Sequence, residues 1–110
     1  MHPSAVLAKK LAHARRRFDE RYGIRLDDNL SKRIIEQIQN RDQAERICFV
    51  SHRVSVWLVH IPANKARGPK ENVKVPVVYD KNRKMIATVL DQRCTELEGI
   101  DLNEIELEIQ

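Results

Sequence analysis

The stretch from Val73 to Leu90 constrains the fold more than any other part of this sequence. Its first half reads VKVPVVYD and its second half ends MIATVL, and both halves place an apolar residue at every second position. A period of two is typical of a β-strand with one buried face. Between the halves, a polar break contains turn-forming residues and three cations, Lys81, Arg83 and Lys84. The sequence therefore predicts an antiparallel hairpin with a cationic turn.

Two helices are predicted before the strands. Ser4 can cap the first helix, in which apolar residues recur at spacings of three and four up to Tyr22, and Gly23 can form a left-handed C-cap. Asp27 or Asp28 can cap a second helix, whose apolar positions again lie three or four residues apart. Each helix therefore has one face to bury, and helices followed by strands predict an α+β fold.

Two further strands are predicted over residues 46–51 and 54–61, where apolar residues occupy both sets of alternate positions. Residues 62–72 show no such period and form the longest predicted loop. At the end of the chain, residues 104–109 alternate Glu with Ile or Leu, which favours an edge strand with a negatively charged outer face. A helix remains an alternative there, because Glu and Leu are good helix formers.

Together these elements predict two N-terminal helices packed on a four-stranded antiparallel sheet. We expect one α+β domain over residues 1–92 and an acidic C-terminal extension over residues 93–110. As an edge strand, the extension would give a fifth strand to this sheet or pair two copies into a homodimer.

Charge is distributed unevenly along the 110 residues, whose formal net charge is +4. Residues 1–26 contain seven cations and two anions, whereas residues 91–110 contain one cation and seven anions. A basic body suits a polyanionic partner, and an acidic end can mask that surface within the same chain. RNA is the partner that we expect.

Several other classes of protein fit the sequence poorly. The most apolar run, residues 54–63, is interrupted by His60 and is far shorter than a membrane span. Two cysteines are too few for a disulfide framework, and the four histidines show no spacing typical of metal ligands. We therefore predict a reduced, cytoplasmic protein with no membrane partner, no metal site and no cofactor.

A ribonuclease that needs no metal is the chemistry that the polar residues fit best. Attack by the RNA 2′-hydroxyl requires a base, an acid and cations around the phosphorane. His13 can serve as acid or base, because its unperturbed pKa is about 6.5. Arg17, one helical turn further, can hold phosphate, and Tyr79 can position a base or donate a hydrogen bond. The other predicted RNA contacts are Lys9, Lys10, Arg16, Arg53, Lys65, Arg67, Lys81, Arg83 and Lys84.

Each of these residues also has a purely structural interpretation. His13 and the arginines can belong to a solvated helix face. Tyr79 shares its strand face with Val77, which favours a buried position. The same fold can therefore serve a non-catalytic phage or mobile-element protein that binds a host protein or nucleic acid.

Short motifs in a fixed order along residues 11–91 carry a resemblance to a known family. HARRRF, starting at His13, and RYGI, starting at Arg21, are followed by the strands VPVVYD and IATVL. This order resembles a small bacterial and phage domain family of unknown function, placed near the BrnT and RelE/ParE toxins. The inserted Tyr22 and the acidic end depart from its pattern.

The resemblance implies the same two helices on a four-stranded sheet as in RelE-like mRNA interferases. It also implies an RNA-targeting function of the toxin–antitoxin type, with a protein antitoxin as a further partner, but it carries over no RelE-type catalytic set, because the residues of that set vary widely between toxins. His13 and Arg17 match the polar helix positions of that family.

Overall fold

The computed structural model describes residues 3–66 and 68–109, in which three α-helices combine with one four-stranded antiparallel sheet. The strands follow one another in the order β1-β2-β3-β4. The predicted α+β class and antiparallel sheet are confirmed. The elements are α1 (Pro3–Tyr22), α2 (Asp28–Asn40), β1 (Ala44–Phe49), β2 (Val54–Ile61), β3 (Val73–Asp80), β4 (Met85–Val89), two short 3₁₀ turns (Gln92–Thr95 and Leu97–Gly99) and α3 (Leu102–Ile109).

Local signals fix the ends of the first two helices. Gly23 adopts a φ of +62°, and its backbone N–H donates to the Asp19 carbonyl oxygen at 2.9 Å, which ends α1 as predicted. The Asp27 carboxylate accepts from the backbone N–H of Leu30 at 2.8 Å and caps α2. The connection between the two helices is therefore short and well defined.

Both faces of the sheet are buried. Phe18 of α1 and Ile34 of α2 pack on one face, against a cluster that includes Val77. Ile105 of α3 packs on the opposite face with Val78. Because neighbouring residues of a strand point to opposite faces, cover on both sides buries β3 from Val75 onward almost completely.

The end of the chain is a helix, and the predicted edge strand over residues 104–109 is wrong. In α3, Ile105 is 1% exposed whereas Leu107 is 73% exposed, a division that the helical period produces and a strand would not. The carboxylate of Asp101 accepts from the N–H groups of Asn103 and Glu104, at 2.9 and 3.4 Å, and so starts the helix. Within the described residues the sheet therefore gains no fifth strand.

Helix α1 lies along the β4 edge of the sheet. Arg21 donates to the carbonyl oxygen of Val89, and the Tyr22 hydroxyl donates to that of Leu90. The polar side of α1 therefore lies at the β4 edge, where it meets α3, the helix that covers the opposite face of the sheet. None of the described helices combines the length and the apolar character needed to span a bilayer.

Candidate functional site

A cleft of about 330 Å³ opens between α1 and the end of the sheet at which β2 begins and β3 ends. Five basic side chains line it, and they come from α1, from the residue before β2 and from the β3–β4 turn: Lys9, Lys10, His13, Arg53 and Arg83. Two carboxylates, those of Asp80 and Glu108, share its walls. Lysines and arginines outnumber carboxylates there, so the cleft is positively charged.

Asp80 organises the wall of the cleft that faces α1. Its side chain, only 6% exposed, accepts from the backbone N–H groups of Asn82 and Arg83 at 3.1 and 3.0 Å, which shapes the β3–β4 turn. Its Oδ2 atom lies 3.7 Å from Arg53 Nε and 3.7 Å from Arg83 Nη1. One carboxylate thus positions two guanidinium groups at the cleft, and its single negative charge neutralises only one of their two positive charges.

Lys10 faces these groups from α1. Burial lowers the pKa of Lys10, the positive charges of Arg83 and Arg53 lower it further, and Asp80 opposes them. The ammonium group donates to the carbonyl oxygen of Ile109 at 3.0 Å. Cations are therefore crowded in this cleft, and a bound anion would relieve their repulsion.

A second cluster adjoins the cleft and centres on Glu108 of α3. Its Oε1 atom accepts from the Thr88 hydroxyl at 2.8 Å and lies 2.9 Å from Arg17 Nε, while Oε2 accepts from Arg21 at 3.1 Å. His13 Nε2 lies 3.6 Å from Oε1. We call His13, Arg17, Arg21 and Thr88 the cradle. The Glu108 side chain that they surround is 11% exposed.

The cradle keeps Glu108 ionised. Burial alone would raise the pKa of this carboxyl, but the Thr88 hydrogen bond and the charges of Arg21 and Arg17 outweigh burial. The pKa therefore falls below its ordinary value of 4.5. An ionised carboxylate under an arginine pair is a strong electrostatic attachment of α3 to α1.

The surroundings of His13 favour its neutral form. Burial lowers its pKa below 6.5, Glu108 opposes the shift, and the charges of Arg17, Arg16 and Arg21 add to it. Arg16 Nη2 lies 3.3 Å from His13 Nδ1, and a guanidinium can only donate, so the ring proton belongs on Nε2. That atom is enclosed against Glu108.

The lowered pKa of Glu108 predicts a pH dependence of stability. Well above pH 4.5 the Glu108 carboxyl is ionised in both the folded and the unfolded chain, and its contribution to the free energy of unfolding is fully present. As the pH falls through the folded-state pKa, that contribution is lost. The free energy of unfolding, measured with urea between pH 7 and pH 3, should therefore fall for the wild type. The Glu108→Gln protein should lack the part of this fall that comes from Glu108. Glu106→Gln, which removes the same charge from the exposed side of α3, should keep the wild-type profile; identical profiles for all three proteins would contradict the assignment.

The structure brings only part of the predicted site together. Lys9, Lys10, His13, Arg53 and Arg83 line the cleft, and Arg17 lies beside them in the cradle. The other predicted cations near the cleft end, which are exposed on α1 or in the β3–β4 turn, are Arg16, Lys81 and Lys84.

Tyr79 and Lys65 lie elsewhere. The Tyr79 side chain is 5% exposed in the core beneath the helices, where Gln39 donates to its hydroxyl at 3.4 Å, so it does not line the cleft. Lys65 is in the loop at the opposite end of β2. That strand has eight residues, so the two ends are roughly 23 Å apart. Arg67 lies outside the described residues.

Three residues of the site were missed from sequence: Arg21, Asp80 and Thr88. Arg21 continues the spacing of four that links His13 to Arg17, so the helical period could have found it. Thr88 carries no such signal, because it meets α1 only through the tertiary fold. Glu108 was expected near the basic body from the charge of the acidic end, but as part of an edge strand.

Comparisons with known proteins leave the family open: no family model, no curated protein and no solved structure matches this chain. Within residues 3–66 and 68–109, no three His, Cys, Asp or Glu side chains come together in a way that could hold a metal ion. The resemblance to the BrnT and RelE/ParE toxins therefore stays a prediction.

Proposed function

We propose that this protein binds RNA in the cleft between α1 and the β3–β4 turn, as a cytoplasmic RelE- or BrnT-like domain. The observation that carries this proposal is the convergence of Lys10, Arg53 and Arg83, from three separate elements, on one space of about 330 Å³. Phosphate groups of a nucleic acid are anions that lysine and arginine recognise through charge and hydrogen bonds. The exposed cations of α1 and of the turn extend the same positive surface on either side.

The cleft is suited to the RNA backbone more than to the bases. The described side chains that line it include no Phe, Tyr or Trp, so the half-buried ring of His13 is the one aromatic group there on which a base could stack. Recognition through phosphates alone would depend strongly on salt and weakly on sequence.

We further propose that the bound RNA is cleaved without a metal ion. The 2′-hydroxyl loses its proton and its oxygen attacks phosphorus; the bond from phosphorus to the 5′-oxygen breaks, and that oxygen takes up a proton. His13 would give or accept one of these protons, and Arg17 would stabilise the charge of the phosphorane. The products would be a 2′,3′-cyclic phosphate and a free 5′-hydroxyl.

The second candidate is a non-catalytic role for the same cationic surface. A protein antitoxin or a host protein with an acidic face would then be bound at the cleft. Its support is the enclosure of His13 Nε2 against Glu108 in this structure, which keeps that nitrogen away from an RNA bound in the cleft.

We expect a short single-stranded RNA to bind with an affinity that falls as salt rises, with a log–log slope of roughly 0.7 per phosphate contact. The Lys10→Ala and Arg83→Gln changes should each weaken binding and reduce that slope by about one contact. Lys65→Ala removes one charge at the far end of the sheet and is the matched control. Fluorescence anisotropy across a salt series would measure this. Absence of binding at low salt, or equal losses in all three variants, would exclude the cleft as the RNA site.

A further inference from the structure

We propose that the cradle is a binding site for a single phosphate group and that Glu108 fills it in the free protein, so that α3 acts as a removable plug. This inference rests on the proposed RNA binding and adds a second, masked phosphate site to the cleft. Glu108 Oε1 then stands where a phosphate oxygen would lie in the open form.

The chemistry of the cradle is that of an oxoanion site. Arg21 of α1 and the Thr88 hydroxyl of β4 donate to the two oxygens of one carboxylate, and Arg17 Nε lies 2.9 Å from one of these oxygens without a hydrogen-bond partner of its own. Two guanidinium groups and a hydroxyl suit phosphate equally well, because phosphate presents more acceptor oxygens in the same space. A phosphodiester carries one negative charge, as the Glu108 carboxylate does, so exchanging one for the other keeps the balance of charge in the cradle.

The attachment of α3 is suited to reversible release. The helix has eight residues, a length that is marginal without tertiary contacts. It is held by buried Ile105, by partly buried Ile109 and by Glu108, while Leu102 and Leu107 are 47% and 73% exposed. Few apolar groups therefore oppose release, and the charged contact is a large part of the attachment.

Release of α3 would also join the two sites into one. Glu108 and Ile109 both form part of the cleft wall, and Lys10 bonds to the Ile109 carbonyl oxygen. Without them, the cleft would continue into the cradle and free His13 Nε2, which now lies 3.6 Å from Glu108. A phosphate in the cradle would then lie beside the side chain proposed for proton transfer.

Glu108→Gln tests the plug, with Glu106→Gln as the control that removes one charge from the exposed side of α3. Inorganic phosphate, titrated against each protein and followed by the rise in melting temperature, should bind Glu108→Gln about tenfold more tightly than wild type, equivalent to about 1.4 kcal/mol. RNA affinity should rise in the same variant. Glu106→Gln should match wild type in both measurements.

The two proposals fail in different ways. If all proteins bind RNA but Glu108→Gln gains no affinity for phosphate, the plug is wrong and RNA binding stands. If Glu108→Gln gains phosphate affinity and no protein binds RNA, the cradle stands and the RNA function is wrong. If the variant loses RNA cleavage without gaining phosphate affinity, Glu108 belongs to the catalytic machinery and the plug is overturned.

Hydrogen exchange on the unaltered protein keeps the test independent of how well the variant folds. Phosphate should compete with Glu108 and accelerate exchange of the α3 amides, compared with chloride at equal ionic strength. The amides of β3 serve as the internal control and should not respond. Exchange in α3 that stays the same at saturating phosphate would overturn the inference.

Discussion

Replacing His13 with alanine is expected to lower the rate of RNA cleavage by roughly 100-fold or more, the usual loss when a general acid or base is removed. His13 lines the cationic cleft, and Arg17 lies one helical turn further along α1. The variant should still bind RNA, because the lysines and arginines of the cleft remain. Loss of rate without loss of affinity is therefore the signature of a catalytic role.

The measurement is cleavage of a labelled RNA under single-turnover conditions, with analysis of the product ends. His52→Ala, an exposed histidine in the β1–β2 turn, is the matched control and should cleave at the wild-type rate. Cleavage should persist in EDTA and should yield a 2′,3′-cyclic phosphate. Full activity of His13→Ala, or activity that disappears with EDTA, would exclude this mechanism. RNA that binds but stays intact with the wild-type protein would favour the non-catalytic role.

The strands show why periodicity was a good guide in the middle of the chain. The predicted strand over residues 54–61 and the first half of the hairpin match β2 and β3 in the structure. In both, an apolar side chain at every second position fits a face that is covered by α1 and α2. The first strand is displaced from residues 46–51 to Ala44–Phe49, where an irregularity between Arg46 and Cys48 breaks the pairing with β2, and no residue pattern signals it.

The same rule failed at the end of the chain for a physical reason. Alternation of Glu with Ile or Leu over six residues fits a strand, but Ile105 and Ile109 are also four residues apart and share a helical face. Asp101 followed three residues later by Glu104 is a helix-start signal that outweighs the short alternation. The acidic end still reaches the basic body, as predicted, through Glu108 and its contacts with Arg17 and Arg21.

The site was predictable where its cations lie on α1 or in the turns beside the sheet, and Arg53 and Arg83 of those turns were both found from sequence. The helical period places His13 and Arg17 on one side, and both residues were found from sequence. Arg21 and Glu108 are 87 positions apart, so their pairing depends on how α3 packs across β4. Tyr79, which was also predicted for the site, lies in the core instead. It shares a strand face with Val77, and this alternation had favoured a buried position.

Replacing Ile105 with alanine is expected to destabilise the protein by about 2–5 kcal/mol, the range for truncating a fully buried isoleucine. Ile105 is 1% exposed and packs with Val56, Val78 and Leu90 on the face that α3 covers. Leu107→Ala is the matched control, because that side chain is 73% exposed on the same helix and should cost less than about 0.5 kcal/mol. Urea unfolding at pH 7 measures both changes.

The size of the loss also shows how α3 is attached to the rest of the fold. If α3 unfolds together with the sheet, the loss from Ile105→Ala appears in full in the global transition. If α3 is released on its own, the loss cannot exceed the free energy that docks the helix, and hydrogen exchange should rise in α3 while β3 stays protected. The second pattern is the one that a removable plug requires. Equal stability of the Ile105→Ala and Leu107→Ala proteins, with no change of exchange in α3, would mean that Ile105 does not hold the helix in place.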